Sequence, residues 1–361
     1  MAKLIKRKDV YMENSRRFSR LVSFLDQSVQ EKRIPGVALA ITSSEKSIFK
    51  YTTGFAHVDR EIKMKEDTIF DLASLTKVVA TLPSVLQLMD TGKLDIDDPV
   101  YYYIPEFKKN NNDITIKHLL THASGYQPGI KFHLNNNTLE EAISIIGKLT
   151  DKGKTGNQVI YSDLNFIVLG YLVEQIAGVP LDKYTEEHIY KPLNMNDTCF
   201  NPPKEWKGKI AATEYMTTIK DYQWGAVHDE NANHFNGVSG HAGLFSTIED
   251  LSKFSRMILN GGKYSNEKVL SEQSIALSTH VMTKNLNLNR GLGWELFNTP
   301  SMSGQFIQHG FGHTGFTGTS IWFDPQKSVS IILLTNRVHF GRDTNIARFR
   351  RIVHNLAALA I

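Results

Sequence analysis

Cysteine is nearly absent from this chain. Cys199 is the one example in 361 residues, so no intrachain disulfide can form, and that usage fits a reducing compartment. No candidate base lies near Cys199 in the sequence, which makes it a structural residue. Long hydrophobic runs are lacking as well. Nothing approaches the roughly 18 apolar residues of a membrane helix, so no integral membrane segment is expected. The first residues are basic, but the apolar stretch after them, LVSFL, breaks off at Asp26 and Gln27, too short for a secretory signal. The chain as written is therefore expected in the cytoplasm. Met12 is an alternative start, and a truncated N-terminus would leave an extracytoplasmic location open. Two catalytic signatures are also missing. Without H-E-x-x-H the chain does not read as a zinc hydrolase of that type. Without G-x-S-x-G it lacks the nucleophile elbow of the α/β-hydrolases.

Excess charge is confined to one end. Residues 1–17 hold six basic side chains against two acidic ones, which is the whole formal charge of +4; the remainder carries 35 of each sign. A balanced body excludes a nucleic-acid-binding surface as the main business of the chain, and the basic arm reads as an ill-ordered terminus. At 41% hydrophobic and 22% charged residues the composition is that of an ordinary globular protein, long enough for one large domain or two that share a cleft. There are no repeats or low-complexity tracts.

Apolar periodicity predicts a helix over 14–32, stopped by Pro35-Gly36, then a hairpin from GVALAITSS and KSIFKYTTGFA. A helix is expected from about Ser74, kinked at Pro83 and ended by Gly92. The middle is helix-rich: TIKHLLTHASG from Thr115 to Gly125, a capping box Thr138…Glu141, SDLNFIVLGYLVEQIAG with Gly178 as its stop, and TIEDLSKFSRMILNGG starting at Thr247. The end changes period. GLGWELF, GQFIQHGFG, GTSIWFDPQKS and SVSIILLTNRV read as strands, followed by a last helix over 342–361. The expected fold class is α+β: an α/β sandwich with a central antiparallel sheet and an inserted, mainly helical region. Residues 13–70 and 290–361 would form the sheet-and-helix domain, residues 71–289 the insertion, with an active site in the cleft between them.

Ser74 and Lys77 stand three residues apart, a spacing that puts both side chains on one side of a helical turn. A hydroxyl is a poor nucleophile at neutral pH, and an amine held deprotonated by its surroundings can take its proton. The motif SLTK, followed by YSDLNF at Tyr161–Phe166 and HTG at His313–Gly315, resembles the serine β-lactamase/penicillin-binding-protein superfamily. The nearest likeness is to its class C-like branch, which includes low-molecular-weight DD-peptidases and serine esterases. LLTHASG, PLNMNDT, GHAGLFSTIEDLSKF and GLGW recur in the expected order, so the resemblance runs from about Ser15 to the C-terminal helix.

The resemblance implies a β-lactamase/transpeptidase-like fold with Ser74 as nucleophile, Lys77 as its partner and Tyr161 as proton carrier. The backbone N–H groups of Ser74 and Phe316 would form the oxyanion hole. His313, Thr314 and Gly315 would line the substrate, His313 meeting a substrate carboxylate with a donor or a positive charge. Asp163 departs from the pattern, because the family usually has asparagine there. An ionised aspartate accepts hydrogen bonds and donates none, so Asp163 either pairs with Lys77 and holds it charged or orients a substrate N–H. The loop WGAVHDENANHFNG adds His228 and Asn231 as substrate-side groups. No metal or cofactor is expected, since His309 and His313 do not converge on a glycine-rich strand.

The leading expectation is a serine hydrolase working through an acyl-enzyme on a peptidoglycan-derived peptide, a muropeptide or a small ester. The alternatives are a true class C-type β-lactamase and a catalytically inactive penicillin-binding or regulatory protein. The partner in the leading case is a small molecule or short peptide. Nothing in the sequence decides an oligomeric state; a monomer is the default expectation.

Overall fold

Strand formation at both chain ends builds one sheet. The structure, a computed structural model, describes residues 16–298 and 301–361. The basic arm expected over 1–17 lies almost wholly outside the described residues, as do the helix start at 14 and the candidate start Met12. The strands of the central sheet are β1 (Gly36–Ser43), β2 (Ser47–His57), β3 (Ile62–Lys63), β4 (Glu295–Leu296), β5 (Phe311–Thr314), β6 (Ser320–Asp324) and β7 (Val329–Thr335). Their order is β4-β5-β6-β7-β1-β2-β3, antiparallel throughout. The ends of the chain meet at β1 and β7, where Val37 pairs with Thr335 and Leu39 with Leu333.

β1 is apolar without alternation because both its faces are covered. Val37, Leu39 and Ile41 face a core with Leu21 and Leu25 of the helix Ser19–Gln30, with Phe18 at its N-cap, and with Phe349 and Val353 of the helix Ala347–Leu359. Ala38 and Ala40 point the other way, into the larger core that holds Leu251 and Phe254 of the helix Ile248–Leu259. That helix falls within the 71–289 stretch yet packs on the sheet, and Thr42 donates to Ser252 across the contact at 3.1 Å.

Several elements differ from the sequence reading for local reasons. Ser74 does not open a continuous helix. It lies in a 3-10 turn, Ala73–Leu75, followed by a π turn, Lys77–Thr81, and an α-helix, Leu82–Asp90. Pro83 has no N–H to give to the turn before it, and the wider π register absorbs the break that a kink would otherwise take. The first helix ends at Gln30, ahead of Pro35, with Lys32 at φ +55°. The short helix capped by Thr115 closes at Leu120, where His122 rather than Gly125 first takes a positive φ. GQFIQHG is turn rather than strand, and pairing begins only at Phe311. The last helix starts at Ala347, whose N–H is taken by Asn345 Oδ1 at 2.9 Å. Cys199 sits in a two-residue strand, where burial pushes its thiol up to about 12, in keeping with an inert residue. No single helix among the described residues is long and apolar enough to cross a membrane.

The helix Asp163–Ala177 is apolar on nearly every side because the protein surrounds it. The Ser239–Gly243 loop crosses it at glycine-to-glycine contact: a Cβ on Gly170 would stand 2.7 Å from Gly240 Cα, and one on Gly240 would stand 2.1 Å from Phe166 O. Gly170→Ala should therefore lower stability in urea titration by about 1–3 kcal/mol through overpacking, although alanine would favour an isolated helix by about 1 kcal/mol. A gain in stability would show that the crossing has slack.

Candidate active site

The chain enters the site from the short strand Phe70–Asp71, which pairs with Leu244–Ser246. Ala73 then takes φ +47°, a left-handed conformation that a non-glycine residue adopts only when its surroundings compel it. Four contacts do so. Asp71 Oδ1 accepts the Ala73 N–H at 2.9 Å, and Thr76 Oγ1 donates to Ala73 O at 2.6 Å. Thr317 Oγ1 donates to Asp71 O at 2.8 Å, and Thr319 Oγ1 to Leu72 O at 2.9 Å. The last two staple the loop after β5 to the turn that presents Ser74. Gly315 is required at that seam, because a Cβ there would lie 2.4 Å from Leu72 O and 2.1 Å from Thr319 Oγ1. The adjoining Phe316 N–H donates to no protein group among the described residues, while the Phe316 side chain is half exposed on the cleft.

Lys77 is wholly buried, and its ammonium spends three donors on three segments: Ser74 Oγ at 3.0 Å, Asp163 Oδ1 at 2.8 Å and His241 O at 3.0 Å. Burial opposes its charge, but Asp163 and then Tyr161 outweigh burial and hold its pKa above the ordinary value. Lys77 is thus an ammonium ion that donates to Ser74. The deprotonated amine that the motif alone suggests is not what the fold builds. Of the two expected roles for Asp163, the structure realises the pairing with Lys77 and leaves the carboxylate one-third exposed at the helix N-terminus, on the cleft.

Tyr161 lines the same cleft and is 36% exposed. Lys77 Nζ lies 5.1 Å from its ring centroid, His122 4.6 Å and His313 5.8 Å centroid to centroid. Packing raises the phenol's pKa, and the Lys77 ammonium works against that rise. Both histidines are buried, and burial, then the Arg290 and Lys77 charges, keep them well below the usual imidazole range. Each is therefore neutral, with its tautomer set by the backbone. His313 Nδ1 lies 2.8 Å from Thr314 O, which can only accept, so Nδ1 carries the proton and Nε2 a lone pair. His122 Nδ1 accepts from the Ser162 N–H at 3.1 Å, which leaves the proton on Nε2. Neither Nε2 has a protein partner. His313 accordingly brings no positive charge to a substrate carboxylate, contrary to the expectation for it.

Thr314 and His228 also line the cleft, which has a volume of about 860 Å³. His228 Nε2 is 2.8 Å from Glu214 Oε2, and its ring stacks on Phe316 at 5.8 Å. Asn231 is a correction. It does not line the cleft, because its amide is consumed in tying two loops: Nδ2 donates to Ile130 O at 2.7 Å and Oδ1 accepts the His133 N–H at 3.2 Å. Three residues escape the sequence reading, His241, His122 and Arg290, whereas Asp229 belongs to the polar loop already singled out. Asp229 and His241 are joined at 2.9 Å, with Ser239 2.8 Å from the other ring nitrogen. Although burial works against its charge, His241 holds the Asp229 carboxyl well below the usual carboxylate range. His122 and Arg290 flank Tyr161, Arg290 Cζ standing 5.5 Å from its ring. The signal for His122 and His241 lies in LLTHASG and GHAG, segments that speak for fold in the sequence reading, and Arg290 stands just before GLGW with no pattern of its own.

One ligand atom each from Asp163, Asp229 and His241 lies within 4.8 Å of the other two, but Lys77 already occupies Asp163, and Asp229 and His241 are bonded to each other. The arrangement is complete as an ion-pair network around Lys77.

A protein-family model described as Beta-lactamase matches residues 21–355. A Bacillus subtilis (strain 168) protein named N-acetylmuramyl-L-alanine amidase is 33% identical, over 93% of this chain and 85% of that protein. A Salmonella heidelberg (strain SL476) protein provisionally named a D-alanyl-D-alanine carboxypeptidase is 32% identical, over 90% of this chain and 84% of that protein. Among solved structures, a penicillin-binding protein homologue from Caulobacter crescentus superposes with a TM-score of 0.76 at 19% identity, covering 95% of this chain and 97% of that one. EstCE1, a hydrolase with promiscuous acyltransferase activity, superposes with a TM-score of 0.75 at 21% identity, covering 94% and 98%. These two show that the fold is shared.

Asp163→Asn should reverse the sign of Lys77's contribution to stability with pH. In the wild type the folded pKa lies above the ordinary value of 10.5, so that stability is present below 10.5 and fades as pH rises past it. Without the carboxylate, burial dominates and the folded pKa drops below the unfolded value, so that stability is lost as pH falls below that value. The melting-temperature deficit of the variant should be largest near neutrality and shrink toward pH 10.5. A deficit independent of pH would mean that Lys77 is not held charged by Asp163.

Proposed function

The chain belongs to the beta-lactamase family, and on that premise we propose that this serine hydrolase cleaves an amide in peptidoglycan-derived peptides or muropeptides. The observation that carries the proposal is the seam at Gly315. It sets Ser74 and the unpaired Phe316 N–H on one face of the cleft, with the Lys77 ammonium buried behind Ser74. Ser74 Oγ forms a bond to the substrate carbonyl carbon, and the charge that develops on the carbonyl oxygen is met by the Ser74 and Phe316 N–H groups. The C–N bond breaks, the nitrogen takes a proton and the amine leaves. Water then adds to the acyl-enzyme, releasing the acid and restoring Ser74.

Lys77, already protonated, is no base. Its charge lowers the cost of a phenolate at Tyr161 and polarises Ser74 Oγ. Tyr161, with Lys77 Nζ 5.1 Å from its ring, takes the Ser74 proton as a phenolate that the ammonium stabilises, and the phenol so formed returns that proton to the leaving nitrogen. Asp163 offers its cleft-facing oxygen to a substrate N–H. It cannot donate to a substrate carbonyl as an asparagine does, which favours peptide-like amides over β-lactam turnover. Support for the substrate class comes from the names of the two relatives, both of which denote cleavage of a bond to alanine in cell-wall material.

Ser74→Ala should lower hydrolysis of N-acetylmuramyl-L-alanine and of acyl-D-Ala-D-Ala peptides, followed by chromatographic release of alanine, at least about a thousandfold. It should also abolish labelling by a fluorophosphonate. Undiminished turnover or labelling in the variant would assign the nucleophile elsewhere.

A further inference from the structure

Two side chains that line the cleft meet and close it at one end. Glu230 and Arg342, 112 residues apart in the chain, are joined where Arg342 Nη2 donates to Glu230 Oε1 at 2.8 Å. The cleft cannot run on between two lining groups in contact. Their bond is the outer part of a network. Arg342 Nε donates to Glu214 Oε2 at 3.0 Å, and His228 Nε2 lies 2.8 Å from the same oxygen. Burial works against the charge of Glu214, but His228 and Arg342 hold its carboxyl below the usual range. Arg342 is thus matched by two carboxylates, which leaves no charge for an anion.

A lone exposed ion pair is a weak barrier. This one is anchored on both sides by the backbone. Arg337 donates through Nε to Phe316 O and through Nη1 to Arg342 O, each at 2.8 Å. On the other side the His228 N–H donates to Asp71 Oδ2 at 2.7 Å, two residues before Glu230. The wall is therefore fixed to the two segments that carry the oxyanion donors, the loop at Phe316 and the turn that presents Ser74.

The closed end has a definite place relative to the scissile bond. Two clusters flank Ser74. His313 and Arg290 stand 5.8 Å and 5.5 Å from the Tyr161 ring. His228, Arg337 and Arg342 stand 5.8 Å, 4.5 Å and 5.8 Å from the Phe316 ring. From His313 to Phe316 the chain passes from one cluster to the other, a span of at most about 10 Å. The carbonyl oxygen sits between the Ser74 and Phe316 N–H groups, and the leaving nitrogen faces Tyr161, its proton donor. The acyl group is left to point toward the Phe316 cluster. We propose that Arg342 is a specificity-determining residue: with Glu230 it ends the cleft on the acyl side, so that the group passed to Ser74 is one compact unit with no further chain attached. The inference rests on the hydrolase reading and goes further, to the length of acyl group accepted and the residue that sets it.

The test lengthens the substrate on the acyl side. N-acetylmuramyl-L-alanine is compared with the same compound carrying N-acetylglucosamine on its muramyl group, and acetyl-D-Ala-D-Ala with a form extended by a peptide at its N-terminus. In the pair that wild type cleaves better, it should favour the short member at least about tenfold in kcat/KM. Arg342→Ala should bring that ratio close to one. Glu230→Ala breaks the same contact from the other side and should relax the ratio too, with the double variant short of additive. Because each ratio is taken within one protein, partial loss of folded material cancels. An unchanged ratio in Arg342→Ala overturns the proposal. So does a wild-type ratio of one or less, which needs no variant; if that turnover still depends on Ser74, the hydrolase reading stands while the role of Arg342 falls. Wild type that cleaves none of the four compounds removes the hydrolase reading and the closed acyl end with it.

Discussion

A lysine ammonium with no access to water must find three acceptors, and the way this protein supplies them to Lys77 organises the site. Ser74 comes from the same turn, Asp163 from the start of a helix 86 residues on and His241 from a loop 164 residues on. An unpaired buried charge is far costlier than a paired one, so these segments are bound to one another by a shared need. The consequence for chemistry is direct. With a carboxylate at 163 the lysine stays charged, and the proton of Ser74 has to travel by way of Tyr161 instead.

Close backbone approach is the second constraint. Glycine at 315 lets the loop after β5 lie against Leu72, and glycines at 170 and 240 let the His241 loop lie against the Asp163 helix. These contacts set how near the nucleophile stands to the Phe316 N–H and how near His241 O stands to Lys77. The left-handed Ala73 belongs to the same economy of space. Its strain is tolerated because Asp71, Thr76, Thr317 and Thr319 leave the turn no other course.

Much of the architecture was legible in the sequence. The hairpin at 36–57, the capped helices at Thr138 and Thr247 and the apolar run ILLT follow rules local to a few residues. The π turn before Pro83 and the loss of strand at GQFIQHG did not follow from them, because each answers to a partner elsewhere in space. Ser74 and Tyr161 do share a cleft with His313, Thr314 and Asp163, and Lys77 lies buried beneath it, bonded to Ser74 and Asp163. Asn231 was misplaced because residue type and loop position say nothing of which backbone groups will claim an amide. Arg290 went unnoticed because a lone arginine beside GLGW has no pattern. Its mark is burial without a side-chain hydrogen bond, which only the folded chain displays.

By itself, then, the sequence determined the kind of fold and the kind of nucleophile, since hydrophobic period, capping residues and a three-residue Ser-Lys spacing act over one or two turns of chain. The charge state of Lys77, the neutral tautomers of His122 and His313, the employment of Asp163 and the idleness of Arg290 were decided by tertiary structure. Each depends on burial and on acceptors brought from distant segments, and desolvation does not exist until those segments have packed.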